Sequence, residues 1–352
     1  MSSSYGNILK LTIFGESHGP SVGMTMENFP MGFCPDFEEL QTFLNRRAPG
    51  RSPCSTGRKE ADLPEFLSGL EDGKVCGTVL TAVIRNKDAR SSDYDAIQNI
   101  PRPSHADYPA GVKFGPALDL RGGGQFSGRL TAPLCIAGGL CIQYLKSKNI
   151  QVGAQIRQIG NVQNSPFDPL QPVIPSPRAV PTEEMKRAIS SAAEKGDSLG
   201  GIIECAVTGL PAGVGEVLFG GLESRLSQIL FAIPAIKGVE FGSGFACADM
   251  TGSQHNDPYY RDDSGKVRTR TNHAGGICGG ISTGMPLIFR VAVKPTPSIS
   301  LPQESISRDG GSARLEIRGR HDPCIVPRAV PCVEAAAAVG ILDALLEGKI
   351  WN

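Results

Sequence analysis

Between residues 161 and 181 the chain carries six prolines, Pro166, Pro169, Pro172, Pro175, Pro177 and Pro181. A segment with so many fixed φ angles and missing N–H donors is neither helix nor central strand, so it reads as an extended connection. It divides the 352 residues into two stretches, and the two share a pattern. Phe29-Pro30-Met31-Gly32 precedes a helical pattern, as does Leu210-Pro211-Ala212-Gly213. The strand-like run at 77–85 has a counterpart at 284–294, and Arg129 and Arg328 each stand before an Ala- and Gly-rich helical pattern. The reading is a single domain over 1–352 built from two similar halves, 1–150 and 195–347.

Local patterns fill in the elements. Residues 36–47 read as a helix: Asp36 can cap it, Glu39 follows three residues on, and Phe37, Leu40 and Leu44 share a face. Pro49-Gly50 stops it, with Arg46 and Arg47 in its last turn. Strands are expected over 8–14 and 78–84, and helices over 130–145, 182–194 and 334–346. Residues 85–119 form a polar stretch too long for a plain connection, which points to function. Residues 253–270 lack periodicity and read as a mobile loop. No apolar run approaches 18 residues, so no membrane span is expected, and residues 1–10 lack the pattern of a secretory signal.

Charge and cysteine usage narrow the function classes. Lys plus Arg and Asp plus Glu are 35 each, which argues against a nucleic-acid or membrane-surface partner. The ten cysteines contain no C-x-x-C pair, so no metal site is expected, and their apolar neighbours suggest reduced thiols in a cytoplasmic protein. Gly 43 and Pro 27 make up about a fifth of the chain against a usual ~12%, which predicts many shaped loops.

The residues able to do chemistry lie in those loops. His18 sits in Gly15-Glu16-Ser17-His18-Gly19-Pro20 and His105 in Pro103-Ser104-His105-Ala106-Asp107; each is a proton donor suited to neutral pH or a solvated loop histidine. Arginines cluster at Arg46, Arg47, Arg51 and Arg58, at Arg85, Arg90 and Arg102, and at Arg318, Arg320 and Arg328. In a chain of zero net charge they suggest a small polyanionic ligand, with surface pairs to Glu38, Glu39, Glu60 and Asp62 as the alternative. Gly122-Gly123-Gly124, Gly275-Gly276 and Gly279-Gly280 fit neither common nucleotide fingerprint, yet allow close approach to an anion or a flat ring. Gly280-Ile281-Ser282-Thr283-Gly284 matches the hydrolase elbow, but its flanks read as a loop into a strand. Asp343 lies among Val339, Gly340 and Leu346 on an apolar helix face, so it is buried with a purpose or turned toward a cleft.

Seven motifs in order carry a resemblance: Gly15-Glu16-Ser17-His18-Gly19, Asn86-Lys87-Asp88-Ala89-Arg90, Arg102-Pro103-x-His105-Ala106-Asp107, Arg121-Gly122-Gly123-Gly124, Asn272-His273-Ala274-Gly275-Gly276, Lys294-Pro295-Thr296 and Gly319-Arg320-His321-Asp322-Pro323-Cys324. Together they resemble the chorismate synthase family over nearly the whole chain. The resemblance implies an α+β fold, a β-α-β sandwich of two pseudo-symmetric halves with helices between antiparallel sheets, assembled as a homotetramer. It implies conversion of 5-enolpyruvylshikimate 3-phosphate to chorismate and phosphate, with a requirement for reduced FMN, no net redox change, and a separate source of reduced flavin. Carried over by motif, His18 protonates the reduced flavin, His105 assists phosphate departure, and Asp343, with Ser17 and Ser127, belongs to the proton-removal relay. FMN would meet Gln125, Phe126, Ser127, Ala235, Gly279, Lys294, Pro295, Thr296, Pro297, Ser298 and Arg320; substrate anions would meet Arg46, Arg47, Arg129 and Arg328. Gln125-Phe126 stands where many members have Arg-Ser, and Pro53 where many have Arg. The alternatives are a flavin-dependent reductase, for which the chain shows no dinucleotide fingerprint to take NADPH, and a non-catalytic phosphate-ligand-binding protein on the same fold.

Overall fold

The computed structural model describes residues 3–50, 61–86, 100–115, 118–119, 121–307, 310–317 and 321–348. In chain order the first half runs β1 (Ser4–Tyr5), β2 (Lys10–Gly15), β3 (Ser21–Glu27), α1 (Phe37–Arg47), β4 (Glu65–Ser68), the small hairpin β5 (Leu70–Glu71) and β6 (Lys74–Val75), β7 (Leu80–Arg85), α2 (Asp107–Phe114) and α3 (Thr131–Ser147). The second half runs β8 (Gln151–Ile159), β9 (Val162–Gln163), α4 (Glu183–Glu194), β10 (Gly201–Thr208), α5 (Leu222–Phe231), β11 (Ile236–Phe241), α6 (Gly252–His255), the hairpins β12 (Tyr259–Arg261) with β13 (Val267–Thr269) and β14 (Ile277–Cys278) with β15 (Ile281–Ser282), β16 (Leu287–Val293), β17 (Gln303–Ile306) with β18 (Ser312–Leu315), and α7 (Val326–Gly348).

Two five-stranded antiparallel sheets result, ordered β1-β2-β3-β7-β4 and β11-β16-β10-β8-β9. The two orders are the same plan read from opposite edges: a hairpin or edge strand, a central pair, then a strand following a helix. The α+β sandwich expected from the resemblance is therefore present. Helices α3 and α7 fill the space between the sheets, α3 against β3 and β7, α7 against β8 and β10, with α1 and α5 beside them. Both are apolar all round, as interior helices must be; Leu134, Ile136, Leu140, Val330, Val333 and Ile341 are all buried. They approach so closely at Gly138 that a methyl group there would lie 2.2 Å from Cβ of Ala335.

Several expectations change. The second sheet takes in β8, so the second half begins at Gln151 rather than at 195. Residues 152–156 of β8 are buried without a break, so they show no polar alternation. The proline-rich segment is extended, but it folds over the outer face of that sheet: Phe167 and Ile174 pack with Ala206 and Ile288, and the bare backbone of Gly153 makes room for Ile174. Residues 253–270 hold α6 and the β12–β13 hairpin. Helix α7 begins eight residues before the expected start and is long and apolar enough to cross a membrane, contrary to the run length read from the sequence; it lies mostly buried in the core. Helix α1 forms where expected, with the Asp36 carboxylate accepting from the N–H groups of Glu38 and Glu39 at 2.9 Å.

Candidate active site

A cleft of about 550 Å³ opens where the two halves meet, within the range of small-molecule sites. The turn after β2 supplies Ser17 and His18. The segment before α2 supplies Arg102 and His105, the glycine turn before α3 supplies Gln125, Phe126 and Ser127, and the turn after α5 supplies Ala235. The segment leaving β16 contributes Lys294, Thr296, Pro297 and Ser298, the segment before α7 contributes His321 and Asp322, and the first turns of α7 contribute Arg328 and Cys332.

The glycine turn brings the two histidines together. Gly122 has φ +61, and a methyl group on it would lie 2.6 Å from Nε2 of His18 and 2.9 Å from Oγ of Ser17. On Gly123 the same group would lie 3.5 Å from Nε2 of His105 and from Cβ of Ser127. Only glycine combines that backbone with such close approach, so the turn seats both imidazoles against consecutive residues. Ser127 Oγ accepts from the N–H of Arg129 at 3.2 Å, which aligns the start of α3.

Asp107 orients His105. Its Oδ1 lies 2.6 Å from Nδ1 of His105, and the Arg102 fork donates to both carboxylate oxygens, at 2.7 Å from Nε and 2.9 Å from Nη2. Burial alone would raise the Asp107 carboxyl, but the hydrogen bonds from Arg102 and His105 outweigh it and hold it well below the usual carboxylate range. An ionised Asp107 only accepts, so Nδ1 carries a proton and Nε2 faces the cleft. Arg102 also donates to Ser298 Oγ at 3.3 Å, tying this segment to the exit of β16.

Cations line the same cleft. Arg47 and Arg129 share the buried carboxylate of Asp62, Arg47 at 3.3 Å and Arg129 in a closer ion pair. Arg129 Nε donates to Asn86 Oδ1 at 3.0 Å. Arg328 Nε donates to the Arg47 carbonyl at 2.9 Å, and Arg328 pairs with Asp322. Burial lowers the Arg328 pKa, and repulsion from Arg47 adds to this against the pull of Asp322. Lys294 Nζ donates to the Ser104 carbonyl at 3.0 Å, and its own N–H to the Ala235 carbonyl at 2.9 Å. Burial lowers its pKa, with a smaller push from Lys237. Ser104 and Ala235 both have positive φ, 56° and 75°, a conformation costly for non-glycine residues and typical of binding sites.

The cleft therefore unites Ser17, His18, His105, Gln125, Phe126, Ser127, Ala235, Lys294, Thr296, Pro297, Ser298, Arg47, Arg129 and Arg328. Four expected residues lie elsewhere. Asp343 is 1% exposed and faces the far end of β2: its oxygens accept from the N–H groups of Asn7, Ile8 and Leu9 at 2.8–3.0 Å, and Arg225 is 3.5 Å away. A carboxylate on that apolar face is thus explained by the N-terminal turn it holds. Arg46 leaves the cleft to make a fork with Glu334, at 2.6 and 3.0 Å. Gly279 sits in the tight turn between β14 and β15, and Pro295, alternating with Lys294 and Thr296, turns toward Gly200. Arg320, like Pro53, Arg51, Arg58, Arg90 and Arg318, lies outside the described residues. Ser282 is buried, donating to the Pro211 carbonyl and accepting from the Val214 N–H, which excludes a nucleophile elbow. Among the described residues no cluster suits a metal ion. Arg102, expected in an anion-holding cluster, instead clamps Asp107; Asp62, a candidate surface partner, is buried between two arginines, and the sequence carries no signal for the places of Asp107, His321, Thr131 and Cys332 in the cleft region.

Comparison with known proteins gives the same picture. The family model described as chorismate synthase matches residues 9–346. A chorismate synthase from Lancefieldella parvula is 45% identical, over 98% of this chain and 96% of its own. That of Thermococcus gammatolerans is 46% identical over 99% and 98%, and that of Synechocystis sp. 43% over 98% of both. A crystal structure titled as chorismate synthase superposes with a TM-score of 0.76 at 29% identity, covering 97% of this chain and 93% of that one.

Proposed function

The chain belongs to the chorismate synthase family, and from that premise we propose that it eliminates phosphate and a ring proton from 5-enolpyruvylshikimate 3-phosphate in the presence of reduced FMN, giving chorismate. The observation that carries this reading is the seating of His18 and His105 on consecutive glycines in one cleft with Arg47, Arg129 and Arg328.

The cleft suits both ligands. Phe126, Ile233, Pro234, Ala235 and Pro297 offer apolar faces for a flat ring, while Lys294 and the polar atoms of Thr296 and Ser298 lie beside them for a phosphate tail. Reduced FMN held by these residues would supply an electron-rich ring beside the scissile C–O bond, with no net redox change. His18 holds a proton beside the ring. His105 acts as the imidazolium: its Nδ1–H stays on Asp107 while Nε2 gives its own proton to the leaving phosphate as the C–O bond breaks, leaving a neutral ring. Arg47, Arg129 and Arg328 grip the phosphate and carboxylates, and their partial neutralisation by Asp62 and Asp322 keeps them buried and aligned. Homotetramer formation and an external source of reduced flavin belong to the same proposal. Val217, Leu218, Phe219 and Phe245, with Phe219 94% exposed, form apolar surface that an assembly would cover.

The test is phosphate release from the substrate with photoreduced FMN under anaerobic conditions. Release that requires the reduced flavin supports the proposal; full turnover with oxidised FMN and no reductant, or no release at all, refutes it. A second expectation concerns Arg328→Lys. An ammonium cannot at once donate to the Arg47 carbonyl, pair with Asp322 and fork onto an anion. Titration should show substrate affinity weakened about 10-fold or more; unaltered affinity would place Arg328 outside the anion site.

A further inference from the structure

Cys135 on α3 and Cys332 on α7 face each other across the helix crossing, with Sγ atoms 3.9 Å apart. They lie one turn from the Gly138–Ala335 approach, where the backbones are nearly in contact. The two sulfurs are unequal. Cys332 lines the cleft though only 3% exposed, its Sγ 3.4 Å from the Arg328 carbonyl, whereas Cys135 is 0% exposed and does not reach the cleft. The function proposed above uses neither.

We propose that Cys332 is a peroxide-reactive thiol of the cleft and that Cys135 resolves it into an intramolecular disulfide. The Cys332 thiolate attacks one oxygen of hydrogen peroxide. An S–O bond forms and the O–O bond breaks. The sulfur is oxidised by two electrons to a sulfenic acid, and the departing hydroxide takes up the proton that Cys332 has shed, becoming water. Cys135 then attacks that sulfur. An S–S bond forms, the S–O bond breaks, and the hydroxide leaves with the Cys135 proton as a second water.

The order of attack follows from the surroundings. The Cys135 contact, Arg47, Thr131 and Arg328 all favour the Cys332 thiolate against burial, so its pKa falls, whereas burial and the neighbouring sulfur push the Cys135 thiol up. Access agrees, because a small oxidant in the cleft reaches Cys332 first. The bond would tie together the starts of the two helices whose first turns flank the anion site.

The test uses the full chain, reduced and then exposed to hydrogen peroxide, alkylated and digested without reductant for mass spectrometry. The expected product is a cross-linked peptide joining Cys135 to Cys332 that dithiothreitol separates. In Cys135→Ala protein, dimedone should label Cys332 several-fold more than in the unsubstituted protein, because the sulfenic acid is no longer consumed. Oxidation of the exposed Cys34 with no Cys135–Cys332 cross-link would overturn the proposal. So would dimedone labelling of Cys135 in Cys332→Ala protein that matches labelling of Cys332 in the reciprocal variant. Unsubstituted protein decides the main point, so a variant that folds poorly does not remove the test.

Discussion

Replacing His105 with Ala should lower the rate of phosphate release by roughly 10²–10⁴-fold, the contribution of a well-placed general acid, while substrate affinity changes far less. The expectation rests on the way His105 is held, by a carboxylate on its second nitrogen, among the imidazoles of His18, His105 and His321 that line the cleft. Nε2 of His105 faces the cleft beside Gly123, and its other nitrogen is committed to Asp107. Lys294 has its Nζ engaged with the Ser104 carbonyl, and Arg47, Arg129 and Arg328 hold their protons too tightly to transfer them. Truncation should leave the fold intact, because Asp107 keeps three contacts with Arg102. Single-turnover measurement of phosphate release against substrate titration separates the two effects. A variant with an undiminished rate would take His105 out of the chemistry.

The second large effect is structural. Asp62→Ala should destabilise the protein by about 3–5 kcal/mol, the range for deleting one partner of a buried ion pair. The Asp62 side chain is 0% exposed, and its two cations, Arg47 and Arg129, are 3% and 7% exposed. Both guanidiniums would lose their shared carboxylate in a site too enclosed for full hydration, and would repel each other across the gap. Urea unfolding should show a lower midpoint with an unchanged slope. A shift below about 1 kcal/mol would mean that water already screens the pair as at a surface. Asp62→Asn, which keeps the volume and one acceptor, should lose less.

The sequence disclosed what depends on local chemistry. Asp36 capping α1, the helical run over 182–194 and the alanine-rich stretch of α7 are nearest-neighbour signals, and each element formed. Strand β8 was not visible because residues on both of its faces are buried, which removes the alternation that betrays a strand. The β12–β13 hairpin escaped for the opposite reason: its strands are three residues each and largely exposed, too short to show an alternation, although Asp262 and Gly265 mark its turn. Within the site, residues in shaped loops were legible because histidine, arginine and glycine are informative types there. Asp343 was picked out correctly as unusual, but its reason lay in the first ten residues, more than three hundred positions away. Asp62 was read as a surface partner because nothing in its neighbours signals burial. Only the folded chain shows that it holds two arginines at once.

The parallel placement of α3 and α7 has an electrical consequence. Matching residues, Cys135 with Cys332 and Gly138 with Ala335, meet along the crossing, so both helices begin at the same end of the core, at the cleft. Their macrodipoles lie side by side in a mutually repulsive sense, and both positive poles point where Arg129 and Arg328 already sit. Asp62 and Asp322 offset part of that positive charge. Under the proposed function, a multiply charged substrate would face both poles at once, and its charges would relieve the repulsion that remains.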